Sequence, residues 1–126
     1  MSIVSQCNEV YNLLKSGLSE AVYHDVLCCA LRSQGYVCEQ EYILPIVIHG
    51  VQSGRYLKPD IVVNGDTIIE LKAVNSISQE HKWQLERYMR VSGMKKGFLV
   101  NFGPKLDVRY YIILDDEFTY TLETQG

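Results

Sequence analysis

"YLKPDIVVNGDTIIELKAV", residues 56–74, is the stretch that decides the fold. Its two runs rich in Ile, Val and Leu, Leu57–Val63 and Thr67–Val74, predict β-strands. Asn64-Gly65-Asp66 between them is a strong hairpin signal. The strands also contain three charged side chains: Asp60, Glu70 and Lys72. Because an apolar strand buries such groups, each of them needs a partner, solvent or a function.

The turn decides whether these charges lie together. Alternation along the second strand places Glu70 and Lys72 on one face. A two-residue Asn64-Gly65 turn would pair Asp60 with Ile69 and leave Glu70 on the opposite face. A three-residue loop with Gly65 in a left-handed bulge position would instead place all three charges on one face. Both turns accept Asn-Gly, so local propensity does not choose between them.

The apolar residues of the hairpin favour the bulged turn, which we predict with Val62 opposite Asp66. In that register the other face is entirely apolar and can receive a helix. Its members are Pro59, Ile61, Val63, Ile69, Leu71 and Ala73.

Carboxylates of Asp60 and Glu70 on one face would repel each other unless a cation lay between them, and their oxygens suit Mg²⁺ or Mn²⁺. Such a metal can polarise a phosphoryl oxygen and lower the pKa of a bound water. Lys72 could then stabilise charge on the phosphate. The alternative is a surface ion pair on a solvated sheet face, worth about 0–1 kcal/mol.

The remaining pattern predicts an α/β sandwich in which helices pack on a mixed sheet. The predicted helices are residues 2–15, residues 18–34, and a third from Ser76 or Ser78 to Val91. The further strands are Tyr36 to Ile48, interrupted by Pro45, then Gly97 to Phe102 and Val108 to Leu114, with a turn from Gly50 to Gly54. We expect one domain, residues 1–126, with a core at about 17–114 and an acidic tail at 115–126.

Composition restricts the class of protein. The sequence contains no apolar run near the roughly 20 residues of a membrane span, and its N-terminus lacks the order of a secretory signal. The four cysteines form no CxxC pair, which favours reduced, packed thiols. We therefore expect a soluble intracellular protein with no membrane partner, in the cytoplasm or nucleoid, with the nucleus or a viral factory left open.

Charge is unevenly distributed along the chain, whose net charge is −3. Residues 55–109 carry ten basic and six acidic side chains, whereas residues 1–54 carry two and five and residues 110–126 none and four. The basic excess could track a phosphate backbone, or it could be ordinary surface variation. The predicted nucleic-acid-binding residues are Arg55, Lys58, Lys82 and Arg87, with Arg90, Lys95 and Lys96 as further members of a basic rim.

Four motifs together resemble a known family. Pro59-Asp60, nine intervening residues and Glu70-Leu71-Lys72 resemble the signature of the PD-(D/E)XK nuclease superfamily. "GLSEAVY", Gly17 to Tyr23, resembles the motif that names its GxxExxY branch. "QLERY" resembles the QxxxY motif of the RecB-like and lambda-exonuclease-like branches, and "GFLVNFG", Gly97 to Gly103, is similar to the closing strand. Lys58 stands where members of the GxxExxY branch often have Arg.

The resemblance implies a restriction-endonuclease-like mixed β-sheet flanked by helices and a Mg²⁺ or Mn²⁺ cofactor. It implies that Asp60 and Glu70 are metal ligands and Lys72 the catalytic lysine, that the Leu71 carbonyl is a further ligand, and that Glu20 lies near the metal directly or through water. Gln84 and Tyr88 would line the catalytic site. Without the resemblance, Glu20 is a first-turn carboxylate favoured by the helix dipole, and Gln84 and Tyr88 belong to a polar helix face.

These patterns predict a metal-dependent nuclease that hydrolyses phosphodiester bonds with a metal-activated water. By family analogy its substrate is DNA rather than RNA. The chain has few residues outside the core, so we expect specificity to come from branched or otherwise shaped DNA such as a Holliday junction, from a homodimer, or from a partner protein. The alternative is a non-catalytic nucleic-acid-binding or interaction module on a nuclease-like fold.

Overall fold

The helices begin and end where the sequence supplies caps. A computed structural model describes residues 2–121, with helices α1 Ile3–Leu14, α2 Glu20–Ser33 and α3 Gln79–Ser92. Ser2 and Ser78 complete capping boxes at the starts of α1 and α3, and Gly93, with a φ of 77°, ends α3 in a left-handed conformation. These bounds closely match the predicted helices. None of the helices in the described residues has the length and apolar character to span a membrane.

Six of the strands in residues 2–121 form one mixed sheet, in the order β1-β4-β5-β6-β7-β8, and β2 and β3 form a separate hairpin. The strands are β1 Cys38–Gln40, β2 Leu44–Ile48, β3 Val51–Leu57, β4 Ile61–Val63, β5 Thr67–Lys72, β6 Lys96–Phe102, β7 Leu106–Leu114 and β8 Glu117–Thr121. Strands β5 and β6 are parallel and joined through α3, whereas the other neighbours are antiparallel. The predicted mixed α/β fold is confirmed.

The sheet is covered on both faces. Helices α1 and α2 pack on one face, where Tyr23 and Leu27 share a core cluster with Ile69 and Leu71. Helix α3 packs on the other face, where Leu85 belongs to a second core cluster. Since side chains alternate along a strand, Glu70 and Lys72 of β5 project towards the α3 face.

The β4–β5 hairpin has a register that places Asp60 and Glu70 on the same face of the sheet. Val63 pairs with Thr67 across a three-residue loop, so the register brings Asp60 to the position opposite Glu70, on the same face. The predicted pairing of Val62 with Asp66 is wrong by two residues, because Val62 pairs with Ile68. Asn64 and Gly65 both take left-handed conformations, with φ of 52° and 70°, and the loop therefore closes one residue later.

Two segments differ from the sequence analysis. The turn predicted at Gly50–Gly54 lies instead at His49-Gly50, where both residues are left-handed, and the chain continues at once into β3. At the other end, a left-handed Asp115-Asp116 turn returns the chain along β7 as β8, within the region expected to be an acidic tail. Residues 122–126 of that tail lie outside the described residues.

The cysteines are all unbonded thiols. Cys29 is exposed, and the other three are buried: Cys7, Cys28 and Cys38. Burial raises the pKa of the Cys7 thiol to about 12. The prediction of packed thiols is therefore confirmed for the three buried cysteines and wrong for Cys29.

Candidate active site

Asp60 and Glu70 hold each other in place through reciprocal bonds to the main chain. The Asp60 N–H donates to Glu70 Oε2 at 2.6 Å, and the Leu71 N–H donates to Asp60 Oδ2 at 2.8 Å. Strand β4 begins only at Ile61, and Pro59 has no N–H to offer to a ladder. The carboxylates therefore bond main-chain N–H groups just where regular pairing of the two strands has stopped.

Burial makes this pair of carboxylates costly to ionise. Glu70 is 2% exposed, and burial raises its pKa well above the ordinary value, with the neighbouring charge of Asp60 raising it further. Burial also raises the pKa of Asp60, opposed by the hydrogen bond from the Leu71 N–H. Ionising both carboxylates therefore requires compensating positive charge, and the nearby Lys72 ammonium lowers the pKa of each.

Lys72 lies on the same strand face, within a polar chain that leads to α3. Its Nζ donates to Gln84 Oε1 at 2.9 Å, and Gln84 Nε2 donates to the Tyr88 hydroxyl oxygen at 3.2 Å. Gln84 and Tyr88 stand one turn apart on α3, which explains why the QxxxY spacing presents both side chains to one place. Burial raises the pKa of Tyr88, and the charge of Glu70 raises it further. The structure thus brings these predicted residues together.

The "GLSEAVY" segment shapes the start of α2. Gly17 has a φ of 105°, which favours glycine, and the Tyr23 ring stacks on Phe102 with centroids 4.6 Å apart. The Tyr23 hydroxyl donates to the Lys15 carbonyl and accepts from the Leu18 N–H. Tyr23 is therefore a packing residue that fixes the loop before the helix.

Glu20 is the first residue of α2 and is exposed. Its charge contributes to the raised pKa of Glu70, as the smallest of the causes, so it is within electrostatic range. No hydrogen bond or ion pair joins Glu20 to Asp60 or Glu70 among the residues that the structure describes. Of the three carboxylates predicted around the metal, Glu20 is the one that is not bonded into the Asp60–Glu70 arrangement.

The oxygen donors around Asp60 and Glu70 suit a divalent cation. Within residues 2–121, no three His, Cys, Asp or Glu side chains converge closely enough to form a ready metal cluster. Half-buried Asp60 and buried Glu70 nevertheless offer oxygen ligands close together, and each commits one oxygen to a main-chain N–H. Mg²⁺ is commonly held by one or two carboxylates together with water and substrate phosphates. The residues present fit such a cation.

The predicted nucleic-acid-binding residues lie in three places. Arg87 lines a depression of about 420 Å³ together with Gln84, next to the polar chain from Lys72. Lys82 lines a different cleft, of about 630 Å³, together with Tyr120 of β8. Arg55 belongs to β3, and Lys58 follows that strand just before the β4–β5 hairpin.

Two further members of the expected basic rim are engaged elsewhere. Arg90 pairs with Asp116 at 2.9 Å, and Lys96 pairs with Asp66 at 3.2 Å. Lys96 is opposite Thr67, at the start of β5, whereas Lys72 is at its end. The rim is therefore not continuous around the site.

Two polar side chains that the sequence analysis did not assign also support this site. His24, one turn after Glu20, places Nε2 2.8 Å from the Asp60 carbonyl oxygen. Asn101, 2% exposed, accepts from the Val74 N–H at 3.0 Å and donates to the Val74 carbonyl at 2.9 Å. Asn101 could have been found from the sequence, because it lies inside the apolar run "GFLVNFG" and a buried amide needs hydrogen-bond partners.

Comparison with known proteins gives one match. The sequence model of a protein family described as the PD-(D/E)XK nuclease superfamily matches residues 1–111, which includes every residue of the candidate site. No curated protein and no solved structure matches the chain significantly.

Proposed function

The chain belongs to the PD-(D/E)XK nuclease superfamily, and its mixed sheet flanked by helices is a restriction-endonuclease-like fold; from this we propose that the protein is a metal-dependent nuclease that hydrolyses phosphodiester bonds in DNA. Membership implies nuclease activity in general terms, and divalent metals are general in the superfamily. The single observation that carries the proposal is the bonded pair of half-buried Asp60 and buried Glu70, with Lys72 on the same face. The motif of Gly17, Glu20 and Tyr23 supports assignment to the GxxExxY branch.

The proposed metal ligands are the carboxylates of Asp60 and Glu70 and the carbonyl of Leu71, with Glu20 as a ligand directly or through water. The cation would be Mg²⁺ or Mn²⁺, since all these donors are oxygens. When bound, it supplies a polarised phosphoryl oxygen and a water of lowered pKa.

The residues of the chain then have separate tasks. The Lys72 ammonium group stabilises the charge that develops on the phosphate, and Gln84 holds it in position by accepting a hydrogen bond. Tyr88 accepts from Gln84, so its own O–H can donate to a phosphate oxygen. The Leu71 N–H fixes the Asp60 carboxylate, and His24 contacts the Asp60 carbonyl.

The proposed substrate is a DNA with a distinctive shape, such as a branched duplex, with a dimer or a partner protein as a further source of specificity. Arg87 stands beside the catalytic residues, and Arg55 and Lys58 precede them along the chain, so these three are the proposed phosphate contacts nearest the site. Lys82 would contact a part of the substrate that crosses the far side of α3.

The test is cleavage of plasmid and four-way-junction DNA in Mg²⁺, in Mn²⁺ and in EDTA. The variants are Asp60→Asn, Glu70→Gln and Lys72→Met, of which the first two keep oxygen acceptors for the main-chain N–H groups. We expect each variant to lose about 100-fold or more in rate, as is usual when a group that stabilises transition-state charge is removed. Asp66→Asn and Lys96→Met, which alter an ion pair between the β4–β5 loop and the start of β6, away from the site, are the matched controls.

Unchanged cleavage in all three variants would overturn the assignment of the site. Two observations favour a second function, a non-catalytic nucleic-acid-binding module: Glu20 stands apart from Asp60 and Glu70, and residues 2–121 hold no ready three-ligand cluster. That function predicts DNA binding that weakens with salt and no cleavage with either metal.

A further inference from the structure

The β2–β3 hairpin and its flanks, residues 42–59, form an arm that is separate from the main sheet. Its two strands pair with each other and with no other strand among the described residues. Leu44 is 6% exposed, and Leu57 packs against the core cluster on the α3 face, so these two residues form the root of the arm, where it is attached to the core. Beyond this root the arm extends into solvent.

The arm has a defined structure and is not a loose loop. Its two-residue turn, His49-Gly50, has both residues in left-handed conformations, as short β-hairpins require. Further along, the Ser53 hydroxyl donates to the Ile46 carbonyl at 2.7 Å and accepts from the Arg55 N–H at 3.0 Å. These bonds hold a bulged region of the ribbon in place.

The charge of the arm is opposite in sign to that of the chain. The chain has 15 acidic side chains and a net charge of −3, yet residues 42–59 contain no Asp or Glu. Arg55 lies in β3 and Lys58 directly follows that strand, which leads to the β4–β5 hairpin, and the Lys58 ammonium lies 5.8 Å from the centre of the Tyr56 ring. This surface complements a polyanion.

The tip of the arm is apolar and exposed. Ile48 and Val51 are direct cross-strand partners, so their side chains lie side by side, and they are 65% and 66% exposed. Val47, in the adjacent position, is exposed as well. At this exposure the pair contributes to the hairpin itself but little to the core, because neither side chain belongs to a core cluster.

We propose that this arm grips a DNA duplex at a branch or interruption, with Arg55 and Lys58 on the phosphates and the Ile48–Val51 pair wedged against a base step. The inference rests on the proposed function and names its substrate class. Two-stranded ribbons fit the grooves of DNA, and apolar side chains wedge between base steps that are easily unstacked. Strand β3 ends at Leu57, three residues before Asp60, so a duplex held by the arm lies beside the carboxylates.

The experiment measures binding of the full-length chain in EDTA, so that it does not depend on cleavage. Fluorescence anisotropy compares a four-way junction with a plain duplex of the same length at 50–200 mM salt. Arg55→Ala/Lys58→Ala should lower the slope of log affinity against log salt by about 1.8, because two phosphate contacts are lost. Across that fourfold salt range, the wild type should then lose about tenfold more affinity than the variant.

The tip is tested separately with Ile48→Ser/Val51→Ser. We expect this variant to keep the wild-type salt slope and to lose the preference for the junction. A 2-aminopurine placed at the branch should become more fluorescent when the wild type binds, and this increase should be absent with the variant. The control is Leu13→Ser/Leu114→Ser, which removes apolar side chains of similar exposure outside the arm. It should leave both properties unchanged.

Three outcomes overturn the proposal. They are an unchanged slope in Arg55→Ala/Lys58→Ala, an unchanged junction preference in Ile48→Ser/Val51→Ser, and conversion of a dimer into a monomer by the tip substitutions with DNA binding intact. The last would make the arm an interface between copies of the chain. These binding results are distinct from the cleavage assay: a wild type that binds as described without cutting would refute the nuclease and retain the arm.

Discussion

Replacing Asn101 with Leu should destabilise the protein and reduce its activity, although the side chain touches no proposed ligand of the metal. Asn101 is 2% exposed and makes two hydrogen bonds to Val74, at 3.0 and 2.9 Å, just beyond Lys72 on the same segment. Leu has similar volume but leaves the Val74 N–H and carbonyl without their partner. Each bond contributes about 1 kcal/mol net, and a stranded buried group costs about 1–3 kcal/mol. Val74 is half-buried, so we expect a loss near the low end, about 2–3 kcal/mol in the free energy of unfolding.

The assay is urea unfolding followed by circular dichroism, with cleavage measured where the variant is fully folded. Asn8→Ala is the matched control, because Asn8 makes an exposed hydrogen bond to the Val4 carbonyl and its loss should cost less than about 0.5 kcal/mol. Asn101→Asp should be destabilised as well, since a carboxylate cannot donate to the Val74 carbonyl. If Asn101→Leu unfolds at the wild-type urea concentration, the reasoning is refuted.

Further predictions concern pH, packing and thiol reactivity. Because the pKa of Glu70 is raised above its ordinary 4.5, the folded chain binds that proton more tightly, and stability should fall as pH rises above about 4.5 through the folded pKa. The check is Tm measured against pH in EDTA: the fall in Tm with rising pH should be smaller in Glu70→Gln than in the wild type. Equal slopes of Tm against pH in the two proteins would contradict the prediction. Gly103→Ala should cost about 1–3 kcal/mol in urea unfolding, because its Cβ would collide with the Val74 carbonyl, and Gly97→Ala should cost less, because its Cβ meets flexible side-chain ends. A thiol reagent at pH 8 should modify the exposed Cys29 rapidly and the three buried thiols, Cys7, Cys28 and Cys38, only after unfolding. Rapid modification of more than one thiol in the folded protein would contradict the packing.

The parts of the fold that were predictable from sequence are those with a strong local signal. Apolar spacing located the three helices and most strands, with a capping serine and Gly93 marking the ends of α3. The requirement that the charges lie together predicted that Asp60 and Glu70 share a face of the β4–β5 hairpin. The loop closed one residue later because Asn64 also took a left-handed conformation. An Asn-Gly pair allows this equally well, so only the packing of the whole strand pair decides.

The missed elements lacked such a signal. Strand β3 contains Gln52, Ser53 and Gly54 and is exposed along most of its length, so neither periodicity nor propensity separates it from a turn. Strand β8 follows two adjacent acidic residues, and Asp rarely marks a strand. In both cases a two-residue left-handed turn, which depends on backbone conformation, starts the new strand.

Within the site, sequence spacing predicted contacts inside one element better than contacts between elements. The four-residue spacing of Gln84 and Tyr88 is a property of one helix, and the two side chains are indeed bonded. The relation of Glu20 to Glu70 depends on how α2 packs across the sheet, which no local pattern encodes. The same holds for His24, whose bond to the Asp60 carbonyl joins the helix to the hairpin.

Asp60 and Glu70 serve the fold as well as the proposed chemistry, because each carboxylate accepts a main-chain N–H at the point where the two strands stop pairing. An alanine at either position would strand that N–H group and disturb the geometry, so lost cleavage would not isolate the role of the charge. An amide keeps an oxygen acceptor of nearly the same size and removes the negative charge. Lost cleavage in stable Asp60→Asn and Glu70→Gln proteins would therefore report on cation binding, whereas the alanine variants would combine that effect with loss of the hairpin structure.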